Sequence, residues 1–269
     1  MTTNTMRTVT SGDGTRITYE KHGAGPALII VLGALCDRNF GSTPQLVKLL
    51  ANDFCVYNYD RRGKGDSGDT QPYAVVREIE DITALIEATG GEAYVYGHSS
   101  GAALALRAAA EPGSRIAQLA LYEPPYNDEP QAKGAWKDYI ARLTELLAEG
   151  KKGEAVAFFM QFAGMPAGQL AEMHHSPFWA MMEVVGHTLA YDHTAILGAE
   201  AAIPRDLAAR VTMPALVMSG TNSFPFMKAT AETLSTIIPH ARLRILAGQT
   251  HEVSQEVLAP VLREFFQDR

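Results

Sequence analysis

Cysteine is almost missing from this chain: Cys36 and Cys55 are the only two in 269 residues. So few exclude a disulfide framework or a cysteine-built zinc site, and each is expected to be a small buried side chain rather than a redox centre. Long apolar runs are missing too. No stretch approaches the ~20 residues that a membrane helix requires, so no membrane partner is expected. The opening segment, Met1 to Thr8, is polar and lacks the apolar core of a signal peptide, which makes the cytoplasm the expected location. Basic charge is in deficit, with 23 Lys and Arg against 30 Asp and Glu, a net charge of −7 and no basic stripe. This balance argues against nucleic acid as a partner and leaves a small molecule as the expected one; nothing in the sequence fixes the oligomeric state.

What is present suits one α/β domain with an inserted subdomain, since apolar residues make up 46% of the chain and charged residues 20%. Arg7 to Ser11 and Thr15 to Glu20 flank Gly12-Asp13-Gly14, a hairpin signal. Ala27 to Leu32 is a continuous apolar run, as in a strand buried on both faces of a parallel sheet. Phe54 to Tyr59 predicts the next strand, Val75 to Ala88 an amphipathic helix, Ala93 to Tyr96 a strand and Leu119 to Tyr122 another. Strands alternating with helices imply a doubly wound, mostly parallel sheet, which collects ligands at the carboxyl ends of its strands.

After Pro124-Pro125 the alternation stops. Ala135 to Glu149, Glu154 to Phe162, Gly168 to His174 and Pro177 to Leu189 are the expected helices of a cap, with Pro204 near the return to the core. Strand periodicity resumes at Ala215 to Met218 and at Arg242 to Leu246, and Gln255 to Gln267 predicts a terminal helix. The expected organisation is a core of residues 1–124 and 206–269 carrying a helical cap of residues 125–205. Phe158, Phe159, Met160, Phe162, Phe178, Trp179, Met181 and Met182 are candidates to line a pocket beneath it, although most are also what a small helical layer needs to pack on a sheet.

The chemistry concentrates at Gly97-His98-Ser99-Ser100-Gly101, between the strand at Ala93 and a helix expected over Ser100 to Ala110. A strand that reverses into a helix this sharply holds its central residue in strained geometry, and flanking glycines keep side chains out of the crowded approach. Ser99 Oγ would then stand at a helix N-terminus, whose free N–H groups favour a developing negative charge. The plain alternative is a chance strand-turn-helix joint. A serine is a poor nucleophile at neutral pH and needs a base beside it. His251 is the candidate, in the short loop Ala247-Gly248-Gln249-Thr250-His251 after the last strand, and the order serine then histidine fits that role.

With these segments, and with Tyr59-Asp60-Arg61-Arg62-Gly63-Lys64-Gly65-Asp66-Ser67, the sequence resembles the α/β-hydrolase superfamily along its whole length. The resemblance implies an eight-stranded, mostly parallel sheet with a cap after the sixth strand, Ser99 as nucleophile and His251 as base. It gives Asp60 and Arg61 a scaffold role in the turn after the fourth strand. It also implies an oxyanion hole of two backbone N–H groups, one from Ser100 and one from Leu32-Gly33-Ala34-Leu35-Cys36, where many relatives have His-Gly. Ala34 is the expected donor, with Leu35 as the alternative.

The sequence departs from the superfamily at the third member of the triad. The acid usually follows the seventh strand in a Gly-x-x-Asp turn, and here that turn is Gly220-Thr221-Asn222-Ser223, with no carboxylate between Arg210 and Glu232. Glu123, in Leu121-Tyr122-Glu123-Pro124-Pro125 after the sixth strand, is the expected substitute, a placement similar to that in certain haloalkane dehalogenases and lipases. Its alternative role is to pair with a cap arginine or cap the strand exit. Asn222 is the second candidate to orient His251, while Glu252 is expected to point elsewhere. His98 is expected beneath the elbow or at the pocket edge. His174, His175, His187 and His193 lie in the cap without the spacing of a metal site, and Gly63-Lys64-Gly65-Asp66-Ser67 lacks P-loop spacing. No cofactor and no metal is expected.

The leading expectation is a cofactor-independent serine hydrolase of an ester, thioester or lactone using Ser99, His251 and Glu123. Lyase or C–C bond chemistry on the same scaffold, and a ligand-binding receptor with weakened catalysis, stand as alternatives.

Overall fold

A computed structural model describes residues 6–268. The first part of the Met1 to Thr8 segment, and both outer ends of the expected core, thus lie outside the described residues. Eight strands form one sheet in the order β1-β2-β4-β3-β5-β6-β7-β8. They are β1 Arg7–Thr10, β2 Arg16–His22, β3 Ala27–Val31, β4 Cys55–Tyr59, β5 Ala93–His98, β6 Ile116–Tyr122, β7 Ala215–Gly220 and β8 Ala241–Leu246. Only β1 with β2 and β2 with β4 pair antiparallel; from β4 to β8 every neighbour is parallel. The fold is therefore the mixed, mostly parallel α/β-hydrolase fold with a helical insert.

The apolar run of β3 shows why the sheet is covered on both sides. Leu28 and Ile30 point to one face and Ile29 and Val31 to the other, all fully buried. Helices α1 (Thr43–Leu50) and α10 (Gln255–Gln267) cover the first face, and α2 (Val75–Thr89), α3 (Ser100–Ala109) and α9 (Pro225–Ile237) cover the second. α3 lies deepest. Its Ala102, Ala103, Leu104, Ala105 and Leu106 are all inaccessible to solvent, and the alanines let the helix approach the strands closely. Neither α1 nor α9 is apparent in the sequence pattern: α1 is short, and α9 buries mainly Met227, Thr230, Ala231 and Leu234, a weakly apolar face.

Between β6 and β7 the chain is helical, with α4 Pro130–Ala148, α5 Lys152–Phe162, α6 Ala167–His174 and α7 Pro177–Val184. α4 begins ahead of the expected Ala135 because Pro130, in the first turn, tolerates the missing N–H and fixes φ for a helix start. The helix expected over Pro177 to Leu189 is broken. α7 stops at Val184, a 3₁₀ turn follows at Gly186–Thr188, and Ala190–Ile196 is π-helical. Gly186 packs on α5 so closely that a Cβ would lie 3.0 Å from the Lys152 carbonyl oxygen. The wide π turn delivers Asp192 to two cations of the core, Arg61 and Lys64. A short helix α8, Arg205–Ala208, follows Pro204 and leads back to β7.

Candidate active site

The carboxyl ends of β5, β6 and β8 bring together three residues that lie far apart in the chain. Ser99 stands between β5 and α3 with φ 57° and ψ −129°, a strained conformation for a residue with a side chain. The neighbouring glycines make the turn possible. A Cβ on Gly97 would fall 2.6 Å from Ala102 Cα, and one on Gly101 would fall 2.3 Å from the Val31 carbonyl oxygen. The turn thus packs directly on β3 and on its own helix, and only the serine side chain projects.

The Ser99 hydroxyl lies 3.1 Å from His251 Nε2, and His251 Nδ1 donates to Glu123 Oε2 at 2.7 Å. Glu123 follows β6, has φ 48° and is fully buried. Its Oε1 accepts from Ser219 Oγ at 2.9 Å and from the Gly220 amide at 2.8 Å, and its Oε2 also accepts from Ser223 Oγ at 2.7 Å. Burial works to raise the Glu123 pKa, but the hydrogen bonds from His251, Gly220 and Ser223 outweigh it and hold the carboxyl below its ordinary value. Gly220-Thr221-Asn222-Ser223 therefore does not supply a carboxylate; it cradles one from the next strand. Among the described residues no arginine is a Glu123 partner. Ser219 and Ser223 went unrecognised in the sequence, where the only signal was serine at both flanks of an acid-free turn.

The other candidates separate from this line. Asn222 reaches toward the Gly248 carbonyl at 3.4 Å rather than toward His251. Glu252 faces a different, small cleft beside Cys36 and His98. His98 lies beneath the elbow, where its Nε2–H donates to the His251 carbonyl at 3.0 Å and helps fix that loop. Burial, and then the nearby His251, lower its pKa to about 4, so it stays neutral at physiological pH. Cys55 is buried and Cys36 half-buried, and burial pushes the Cys36 thiol up to about 12, which leaves it an inert side chain. Among the described residues no group of three or more His, Cys, Asp and Glu is placed to hold a metal ion.

Asp60 and Arg61 lie in buried networks away from the serine. Asp60 accepts from the Arg38 amide at 2.8 Å and from the Arg38 guanidinium, and the Asp66 amide donates to it at 2.8 Å. Arg61 grips Glu78 with two bonds of 2.7 Å, donates to the Leu32 carbonyl at 3.2 Å and meets Asp192 at 2.5 Å. Lys64 shares the other Asp192 oxygen at 2.9 Å. Burial would raise the Asp192 carboxyl, but Arg61 and Lys64 offset this and hold it well below the usual carboxylate range. Asp192 comes from the π-helical stretch, so this cluster fastens the insert to the core.

Ser99, Ser100, Ala34 and His251 open into a cavity of about 320 Å³ between sheet and insert. Its walls are largely apolar and aromatic, with Trp136, Phe159 and Phe162 from the insert and Phe224, Phe226 and Met227 from the segment after β7. Of the apolar cap residues singled out in the sequence, Phe159 and Phe162 border the cavity. Trp179 and Met182 are instead buried within the helical layer, and Phe178 and Met181 are exposed on its outside. His193, also on the cavity wall, receives the Tyr139 hydroxyl on Nδ1 at 2.8 Å. Ala34 borders this cavity, whereas Leu35 is packed in the core. Among the described residues, neither the Ala34 nor the Ser100 amide has a protein acceptor.

A hydroxyl, an imidazole and a buried carboxylate in hydrogen-bonded line, next to free amides in an apolar cavity, form an arrangement able to activate an oxygen nucleophile and hold an oxyanion. Comparison with known proteins places the chain at the level of family. A solved structure of an alpha/beta hydrolase from Sphaerobacter thermophilus is 48% identical and superposes with a TM-score of 0.87, covering 97% of this chain and 100% of that one. The enol-lactonase of Burkholderia xenovorans shares the fold with a TM-score of 0.68 at 22% identity, over 97% of this chain and 100% of that one. N-formylmaleamate deformylase of Pseudomonas putida is 34% identical over 124 residues, which is 43% of this chain and 44% of that enzyme. The chain thus spans less than half the length of that relative. Among the described residues no helix is long and apolar enough to cross a membrane. The model of the Alpha/beta hydrolase family matches residues 22–261, and the chain belongs to that family.

Proposed function

We propose that this hydrolase cleaves an ester, thioester or lactone of a small apolar substrate through a Ser99-His251-Glu123 triad. The observation that carries the reading is His251, bridged by hydrogen bonds to Ser99 Oγ on one side and the Glu123 carboxylate on the other. Glu123 holds the tautomer with the proton on Nδ1, leaving Nε2 free to accept the serine proton. Ser99 Oγ then attacks the substrate carbonyl carbon, and the carbonyl π pair moves onto oxygen, where the Ala34 and Ser100 amides receive it. Imidazolium, stabilised by Glu123, returns the proton to the departing oxygen or sulfur. Water, deprotonated by the same imidazole, releases the acid and restores Ser99.

The cavity supports a compact apolar acyl or alkoxy group, since its walls beside Ser99 and His251 are largely apolar and aromatic. The complete hydrogen-bonded line supports turnover rather than binding alone. The name of the Pseudomonas putida relative, a deformylase, favours a formyl group as a second acyl type handled by the same residues.

Hydrolysis in H₂¹⁸O of a panel of short p-nitrophenyl esters, thioesters and lactones tests the reading. One ¹⁸O per released acid, lost with Ser99→Ala, is expected. Folded enzyme that turns over none of the panel, or product without label, would overturn it.

A further inference from the structure

Lys64 occupies an unusual position. It is 1% exposed, it is the lysine of the segment that lacks P-loop spacing, and neither the family resemblance nor the triad gives it a task. Its ammonium donates to Asp192 at 2.9 Å and to the Gly33 carbonyl oxygen at 3.0 Å. The Gly33 carbonyl belongs to the same peptide unit as the Ala34 amide. In a planar trans peptide, C=O and N–H point in opposite directions, so whatever fixes one fixes the other. Gly33 lies against the nucleophile: a Cβ there would approach Ser99 Cβ to 3.0 Å. With its carbonyl held by Lys64 on the buried side, this peptide turns its N–H to the opposite edge, where Ala34 borders the cavity beside Ser99.

We infer that Lys64, held in place by Asp192 of the insert, is a positioning residue that aims and polarises the Ala34 N–H as an oxyanion donor. The inference rests on the proposed serine mechanism and adds a reason for the buried charges. The preceding peptide is treated alike, since Arg61 donates to the Leu32 carbonyl at 3.2 Å and also binds Asp192. Two consecutive carbonyls of the oxyanion loop are thus pinned by cations that converge on one carboxylate. A cation on a carbonyl draws electron density along the amide and strengthens its N–H as a donor, and the low-dielectric surroundings enlarge the effect. The preorganised donor needs no reorientation when the substrate carbonyl becomes an oxyanion. Asp192 makes the device depend on the insert, so the helical layer that walls the cavity also sets the loop that holds the charge.

The test compares Lys64→Met and Asp192→Asn with wild type, all normalised to active sites titrated to completion with a fluorophosphonate. Arg61 remains to pair with Asp192 in the first variant, which limits the damage to folding. Removing an oxyanion donor outright costs about 10²–10³ in kcat, and misaiming one is expected to cost roughly 10- to 100-fold. Lys64→Met should therefore lose roughly 10- to 100-fold in kcat per titrated site with KM within about threefold. Its affinity for an aryl trifluoromethyl ketone, whose hemiketal oxyanion sits in the hole, should fall by the same factor. Asp192→Asn should show the same pattern more weakly. A merely structural lysine would instead lower the melting temperature and the titratable fraction while leaving kcat per site and ketone affinity unchanged, and that result overturns the inference. If the wild type is not labelled at Ser99, the serine mechanism itself fails, which is a separate outcome.

Discussion

Glu123→Gln changes one atom of a fully buried side chain, and the hydrogen bonds around that atom determine the effect on catalysis. An amide oxygen in the Oε1 position can still accept from Ser219 Oγ and the Gly220 amide. The amide nitrogen then faces Ser223 Oγ and His251 Nδ1. The serine hydroxyl can rotate and accept, but the imidazole must change tautomer, because two N–H donors cannot face each other across the present 2.7 Å. The proton moves to Nε2, where it meets Ser99 Oγ, and the base can no longer take the serine proton. The imidazolium that forms later also loses its counter-charge. In serine proteases the same change costs about 10⁴ in kcat, near 5.5 kcal/mol at the transition state. A loss of roughly 10³–10⁴ is expected here. KM should move little, since Glu123 does not border the cavity. Initial rates on a p-nitrophenyl ester, together with a melting curve, measure both. A folded variant that keeps more than about a tenth of the wild-type kcat would refute the role given to Glu123.

Two other perturbations probe the same structure. His193 is buried, and burial lowers its pKa to about 4 from the ordinary 6.5. Between those values the unfolded chain binds a proton that the native state refuses, so stability falls as pH drops, and this group contributes a loss of roughly 2 kcal/mol between pH 7 and 5. Urea midpoints at both pH values should differ by less in His193→Gln; equal slopes in the two proteins would count against the assignment. Gly101→Ala would drive a methyl to 2.3 Å from the Val31 carbonyl oxygen and 2.4 Å from that of Leu32, forcing α3 off β3. A destabilisation of more than about 3 kcal/mol in urea unfolding is expected, and one below about 1 kcal/mol would show that the elbow is not so tightly packed.

What could be read from the sequence was local. The elbow declares itself because Gly97, Ser99 and Gly101 sit within a few residues and each meets its own steric demand. β3 declares itself because burial on both faces leaves no polar positions. Glu123 could be proposed because Gly220-Thr221-Asn222-Ser223 left a histidine without a carboxylate. The cradle that Ser219 and Ser223 build for it, however, joins positions about a hundred residues apart in the chain, and no periodicity records such a contact. The break after α7 has the same origin. Locally, Pro177 to Leu189 reads as one helix, but the pull of Arg61 and Lys64 on Asp192 acts across 131 and 128 residues and outweighs propensity. The cavity wall was only half legible, because helical spacing identifies apolar side chains without saying which face meets the sheet. Thus Phe159 and the partly exposed Phe162 border the cavity while Phe178 and Met181 lie on the outside, and Trp136, Phe224 and Phe226 entered from segments that carry no motif.

The central claim is that Ser99 is an activated nucleophile, and a fluorophosphonate reports on it directly. Intact-protein and peptide mass spectrometry should find one adduct, on Ser99, that forms quickly in the wild type, slows sharply in Glu123→Gln and disappears in Ser99→Ala. Folded wild-type protein that takes up no adduct, or takes it up on another residue, would contradict the account.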